Sequence, residues 1–251
     1  MTTDIFIRTY AGDAGWLAYC LRSVDRFTSG FSRIIVTCPE YSVPEIKPLA
    51  EKHGCEFYAC EKMHDEDYVG QQATKLLADT WCDADNILHL DADTVFIRKT
   101  VPEDYARDGR LVILKTPYSL VGDACCWKEV TLSATGIPVE YEYMRRMPLV
   151  YPRALYGAAR EVIEKHNGKT FREFIACIPG RHFSEFNVLG AVAEALHPEW
   201  FYFLDTTAGE LPEPTVKQFW SWGNLSVAIQ DEMERTLAGG VTPGLPKAIP
   251  L

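Results

Sequence analysis

The chain reads as an α/β protein built on a mostly parallel, twisted sheet with helices on both faces. Three observations predict this. Strand-like and helix-like stretches alternate strictly from Ile5 to Leu90, the order that gives parallel sheets covered on both sides. The strand candidates are short apolar runs, as expected of buried strands. The run Asn86 to Leu90 leads straight into Asp91-Ala92-Asp93, an acidic pair where a strand should leave the sheet. At 251 residues, 47% hydrophobic and 24% charged, the chain has the composition of a globular protein with one large core.

Ile5-Phe6-Ile7 is the first strand, broken by Gly12-Asp13. Ala14 to Phe27 carries Trp16, Leu17, Cys20, Leu21 and Val24 at helical spacing. Arg33 to Cys38 is a second strand, stopped by Pro39. Val43 to His53 is helical, with Pro44 in its first turn. Cys55 to Cys60 is a third strand, Gln71 to Trp81 a helix, and Asn86 to Leu90 the strand that reaches the aspartates. Leu111 to Leu114 follows as a strand, interrupted at Thr116-Pro117. Ser119 to Pro152 reads as irregular, a lobe or lid rich in Pro, Gly, Tyr and Met. Helices are expected over 152–166, 184–196 (N-capped by Ser184) and 225–237, with a short strand from Trp200 to Leu204. The expected division is a first half at 1–117, a second half of the same domain at 118–238 and a flexible Gly/Pro tail at 239–251.

The net charge of -10 argues against broad nucleic-acid binding. One segment differs: Met144 to Arg181 holds eight Lys/Arg against three Glu, a surplus of +5 that leaves -15 elsewhere. It is either an ordinary solvated face or a surface for an anionic acceptor. The eight cysteines, mostly inside apolar segments (Cys20, Cys38, Cys55, Cys60, Cys177), show no zinc-type spacing and read as free thiols in a reducing cytoplasm. No apolar run approaches the ~20 residues of a membrane span, and the N-terminus carries no signal-type core.

Side chains two apart on an extended chain point the same way. Asp91 and Asp93 thus aim two carboxylates into one crevice, where they repel unless a cation lies between them. Hard oxygen ligands of this kind suit Mg2+ or Mn2+, which also take phosphate oxygens. Thr9 and Tyr10 end the first strand on the same side of the sheet, where open α/β proteins bind ligands. Asp13 reads most simply as a cap on the helix that follows.

Taken together, DIFIRTY, WLAYCLRSV, RIIVTCP, GQQATKLLAD, HLDADTVF, FSEFNVLG and QFWSWGN resemble the GT-A glycosyltransferases. More narrowly, they resemble small bacterial or phage glycosyltransferase-like proteins, over most of residues 4 to 225. The resemblance implies a GT-A-like fold with a nucleotide-sugar-binding half at 1–117 and an acceptor-binding, catalytic half at 118–238, a nucleotide-sugar donor (a UDP-sugar foremost) and a metal bound through Asp91 and Asp93. Asp93 would be the direct ligand, with Asp91 on the ribose or a metal-bound water. Gln71 and Lys75, four apart on one helix face, would border the nucleotide together with Thr9 and Tyr10. Glu185, at a helix start, would be the base of an inverting transfer; in a retaining enzyme Glu185 or Asn187 would lie beneath the sugar. Trp220 and Trp222 would wall the sugar or acceptor pocket, with core packing the simpler reading for one of them. Where many relatives supply a metal-binding His, QFWSWGN has none, so water, Asn224 or His182 would complete the shell. The acceptor would be a glycan or an anionic polymer, such as hydroxymethylated phage DNA, met by Arg145 and Arg146. Two alternatives stand beside this reading. A nucleotidyltransferase is disfavoured because AGDAGW lacks a basic residue, and an inactive binding module because the acidic pair is intact.

Overall fold

The computed structural model describes residues 1–122, 126–145, 147–208 and 211–239. The first half runs β1 (Thr3–Arg8), α1 (Ala14–Phe27), β2 (Ile34–Pro39), α2 (Val43–Lys52), β3 (Glu56–Cys60), α3 (Asp67–Lys75), β4 (Asn86–His89), β5 (Thr94–Phe96), β6 (Ala106–Arg107) and β7 (Arg110–Pro117). The second half runs α4 (Cys126–Thr135), β8 (Tyr141–Glu142), β9 (Leu149–Pro152), α5 (Arg153–Asn167), α6 (Phe171–Ala176), α7 (Glu185–Leu196), β10 (Phe201–Asp205), β11 (Val216–Gln218) and α8 (Val227–Leu237).

The central sheet has the order β3-β2-β1-β4-β9. Its first four strands are parallel and β9 is antiparallel to β4. All six residues of β1 are buried, as a central parallel strand requires. Helix α1 follows the expected spacing and buries Trp16, Leu17, Cys20, Leu21, Val24 and Phe27. A second sheet joins β7 in parallel to β10, with β6 and β8 antiparallel to β7. A two-stranded ladder joins β5 to β11.

The segment 119–152 is more regular than its composition suggests. It holds α4 and β8, and β9 sits in the central sheet, its Tyr151 beside Ile87. Thus the second half of the chain finishes the sheet of the first. The expected helix over 71–81 instead starts at Asp67, an acid well placed in a first turn. It ends at Lys75, near where the hydroxyls of Thr74 and Thr80 bond back to Gly70 and Leu77, the competition that weakens Thr in helices. β7 runs through Thr116 to Pro117 without interruption. Helix α6 has no counterpart among the expected elements, although Thr170 and Glu173 form a capping box at its start. Cys20, Cys38, Cys55, Cys60 and Cys82 are buried free thiols, but Cys177 is exposed. Among the described residues no helix is long and apolar enough to cross a membrane. Of the expected tail only Gly239 lies within the described residues.

Candidate functional site

Strand β4 is four buried residues, and the chain leaves it with both aspartates at the carboxyl edge of the sheet. Lys75, at the end of α3, points there as well. Its Nζ lies 2.7 Å from Asp91 Oδ1 and 3.1 Å from Glu185 Oε1, and 4.8 Å from the centre of the Phe186 ring. The Lys75 and Glu185 side chains are 4% and 3% exposed. Three elements distant in sequence thus meet in one acid–base–acid chain. Burial alone would favour a neutral amine, but Asp91 and Glu185 outweigh it and hold Lys75 as an ammonium, its pKa above the usual lysine range. One ammonium neutralises only one of two carboxylates. The cost falls on the more buried acid: burial pushes the Glu185 pKa up, against the pull of Lys75.

Asp93 is held from the other end of the chain. The β5–β11 ladder brings residues 218–221 alongside it. The Ser221 N–H donates to Asp93 Oδ2 at 2.8 Å, the Gln218 amide donates to Oδ1 at 3.5 Å, and the Phe219 N–H donates to the Asp93 carbonyl at 2.9 Å. The loop that does this is strained. Trp220 has φ 62° and Asn224 φ 64°, conformations that cost a non-glycine residue about 1–3 kcal/mol. Asp13 also belongs to this group. It is the residue before α1 but makes no capping bond. Burial first, then repulsion from Asp93, pushes its carboxyl up to about 6, with the Ser221 side chain opposing. Burial and the neighbouring Asp91 likewise raise Asp93. Asp before an apolar-periodic run is the usual capping pattern, and nothing local in the sequence marks a partner near the far end of the chain. Tyr68 carries no local signal either. It lies on α3 with Lys75, feels the charge of Glu185, and stacks on Trp127 with ring centres 6.4 Å apart.

The remaining expected residues divide. Thr9 is buried and Tyr10 exposed at the end of β1, and Gln71 accepts from the buried Arg8 at 3.4 Å. Trp220 and Trp222 are 44% and 82% exposed, so neither packs in the core as expected of one of them. Asn187 is fully buried with its amide spent inside the protein: it donates to Ser184 Oγ at 2.8 Å and accepts from the Tyr143 N–H at 2.9 Å. Its side chain has no exposed surface to offer an acceptor. Ser184 makes no helix-capping bond; its hydroxyl receives that Asn187 amide. Arg145 is paired with the buried Glu142 at 3.2 Å, and Arg146 lies outside the described residues. Arg160, Arg172 and Arg181 pair with Asp79, Glu61 and Glu66. Much of the basic charge of residues 144–181 is therefore answered within the chain, which weakens the case for a polyanion there.

Among the described residues no group of three or more His, Cys, Asp and Glu is arranged to hold a metal ion. His182 Nδ1 instead lies 2.6 Å from the Pro179 carbonyl. The acidic pair nonetheless fits a hard divalent cation, because Mg2+ and Mn2+ are commonly held by one or two carboxylates with water and substrate phosphates completing the shell. The mutual repulsion of Asp13, Asp91 and Asp93 is the charge such a cation would relieve.

No protein-family model matches the chain, and no curated protein matches it in sequence. Solved structures do match in fold. A galactosyltransferase, LgtC, in complex with donor and acceptor sugar analogues superposes with a TM-score of 0.58 at 14% identity, over 97% of this chain and 98% of that one. An active-site mutant of LgtC gives 0.57 over the same shares. An inositol-1-phosphate CTP transferase from T. maritima gives 0.52 at 12% identity, over 96% and 98%. The fold is therefore GT-A-like.

Proposed function

We propose that this protein is a glycosyltransferase that moves a sugar from a nucleoside-diphosphate donor to an acceptor hydroxyl. The observation that carries the reading is the chain Asp91–Lys75–Glu185, its lysine and glutamate buried, at the carboxyl edge of the sheet, on a fold shared with a sugar-transferring enzyme. Asp91 and Asp93 would hold a divalent cation, which when bound supplies Lewis-acid stabilisation of the departing diphosphate. Lys75 fixes Asp91 in place and offsets part of the burial that favours a protonated Glu185. Glu185, with its basicity lifted by burial, takes the acceptor's proton as the glycosidic bond breaks. The exposed Trp220 and Trp222 offer flat apolar faces for sugar rings. Arg145 would border the acceptor.

The test is a transfer assay with a panel of nucleotide sugars and simple sugar acceptors. Asp93→Asn and Glu185→Gln should each abolish or cut turnover while the circular-dichroism spectrum stays unchanged. Loss of Glu185 as a base is worth about 10²–10⁴-fold in rate. Full activity in Glu185→Gln would remove it from the mechanism. Full activity in Asp93→Asn would make the acidic pair structural.

A further inference from the structure

A buried base needs a way to lose the proton it takes. The Glu185 and Lys75 side chains are 3% and 4% exposed, so neither has a broad face on solvent. Lys75 is already an ammonium, and its other partner, Asp91, belongs to the acidic pair that would hold the cation. Two further polar groups near Glu185 are buried without partners.

Tyr151 is the first. It stands on β9, fully buried, with its ring stacked on Phe186, the residue after Glu185. The ring centres are 6.3 Å apart and the planes 14° apart. Its hydroxyl finds no partner among the described residues. Burial first, then the charges of Glu185 and Glu142, holds that hydroxyl above the usual phenol range. Glu142 is the second. It is fully buried on β8, opposite Thr116 of β7, and β7 packs against β9. The next residue, Tyr143, donates its N–H to Asn187 Oδ1 at 2.9 Å. This pins Glu142 to the first turn of α7, where Glu185 sits. Neither Glu142 oxygen meets an aligned donor, although Arg145 Nε approaches Oε2 to 3.2 Å. The titratable and charged groups facing Glu142 are Arg145, Tyr151 and Tyr118. The Arg145 side chain is 33% exposed, so this buried carboxylate has one neighbour in reach of solvent. A buried polar group without a partner costs about as much as a lost hydrogen bond. A hydroxyl that accepts from one carboxyl group and donates to another is also what passes a proton between them.

We propose that Tyr151 and Glu142 carry the acceptor's proton away from Glu185, so that Glu142 resets the base after each transfer. Glu185 takes the proton as the acceptor O–H bond breaks. It then gives that proton to the Tyr151 oxygen while the Tyr151 hydroxyl proton moves to a Glu142 oxygen, directly or through one water. Glu142 releases it to solvent at Arg145, whose charge opposes the burial that would hold it there. Each group returns to its starting state, with nothing oxidised or reduced. Burial raises Glu185 and Glu142 alike, so the proton passes between two carboxylates shifted in the same direction. Both relay groups are fully buried and act through Glu185. The inference rests on the glycosyltransferase reading with Glu185 as base, and adds the path by which that base is regenerated.

The experiment is steady-state transfer by the full chain, with the donor and simple sugar acceptor that the wild type turns over fastest in a panel of UDP- and GDP-sugars. Glu142→Gln, Tyr151→Phe and the double variant are compared with the wild type, each checked by circular dichroism. Each single change should lower kcat about tenfold or more and leave both KM values little changed. The double variant should be no slower than the slower single variant, because one path is cut twice. The solvent deuterium effect on kcat should rise in each variant, because proton loss then limits the rate. Full kcat in either folded single variant would overturn the proposal. Losses carried by KM, additive losses in the double variant, or an unchanged deuterium effect would also overturn it. Should Tyr151→Phe fail to fold, Glu142→Gln and Glu142→Asp decide the matter. Glu142→Asp should recover part of the lost kcat, and one no faster than Glu142→Gln would overturn the relay. Slow transfer in Glu185→Gln beside full kcat in Glu142→Gln would remove this inference alone. No transfer by the wild type with any donor would overturn both the inference and the function on which it rests.

Discussion

Lys75 is the residue on which the site balances. It is a buried ammonium between two carboxylates, of which Glu185 is buried and Asp91 is 22% exposed, and removing one member of such a group leaves an uncompensated charge. Lys75→Met should therefore cost about 3–5 kcal/mol, read as a lower midpoint in urea unfolding, whereas a surface lysine variant such as Lys47→Met should shift it little. An unchanged midpoint in Lys75→Met would mean that the pair contributes nothing to the fold. Glu142 gives a pH test. Burial raises its pKa despite Arg145 at 3.2 Å, so the folded state holds this proton more tightly than the unfolded chain does. Stability tied to Glu142 is then present below the unfolded pKa and is lost as pH rises through the folded value. The loss is about 1.4 kcal/mol for each pH unit separating the folded and unfolded pKa values. Glu142→Gln cannot ionise, so its melting temperature should exceed that of the wild type at pH 7 and match it at pH 4. A variant less stable at both pH values would show the ion pair with Arg145 to be the stronger effect. At this scale Asp91, Asp93, Lys75 and Glu185 are legible in the sequence, because a strand end and a helix start are local patterns. Asp13, Tyr68 and Ser221 are not, because their roles come from contacts made across the whole chain.

Among the elements, α7 carries Glu185 into the site, and its placement depends on a close approach. Tyr143 packs directly on the α7 backbone at Gly190, where any Cβ would overlap its ring, while its N–H is held by Asn187. Gly190→Ala gains about 1 kcal/mol of helix propensity but must displace a buried ring, an overpacking cost of about 1–3 kcal/mol. The net result should be a modest loss of stability together with reduced transfer activity, because Glu185 moves with the helix. A stabilised, fully active variant would show that the Tyr143 contact is soft. The helices with a clean apolar stripe, α1 and α5 among them, are readable to within a residue or two. Strand β9 is not: a short apolar run among Pro and Tyr declares itself only through pairing with β4, far earlier in the chain. The β5–β11 ladder, three residues a side, escapes for the same reason.

The whole molecule has one sheet built by both halves of the sequence. β9 completes the sheet begun by β1 to β4, and residues 218–221 close on Asp93. The expected division near residue 117 therefore does not fall between two separate sheets. Thermal unfolding followed by tryptophan fluorescence and by far-UV circular dichroism should give one coincident transition; two separated transitions would show that the halves fold independently. The alternation of strand and helix makes the α/β class legible, and the strand-end acids put the candidate site at the carboxyl edge of the sheet, where such folds bind ligands. The most direct test of the central claim is isothermal calorimetry with UDP- and GDP-sugars, with and without Mn2+, on the wild type and Asp93→Asn. The account predicts binding of one nucleotide class that strengthens with Mn2+ and is lost in Asp93→Asn. Absence of binding by any nucleotide sugar, or binding indifferent to both the metal and Asp93, would contradict it.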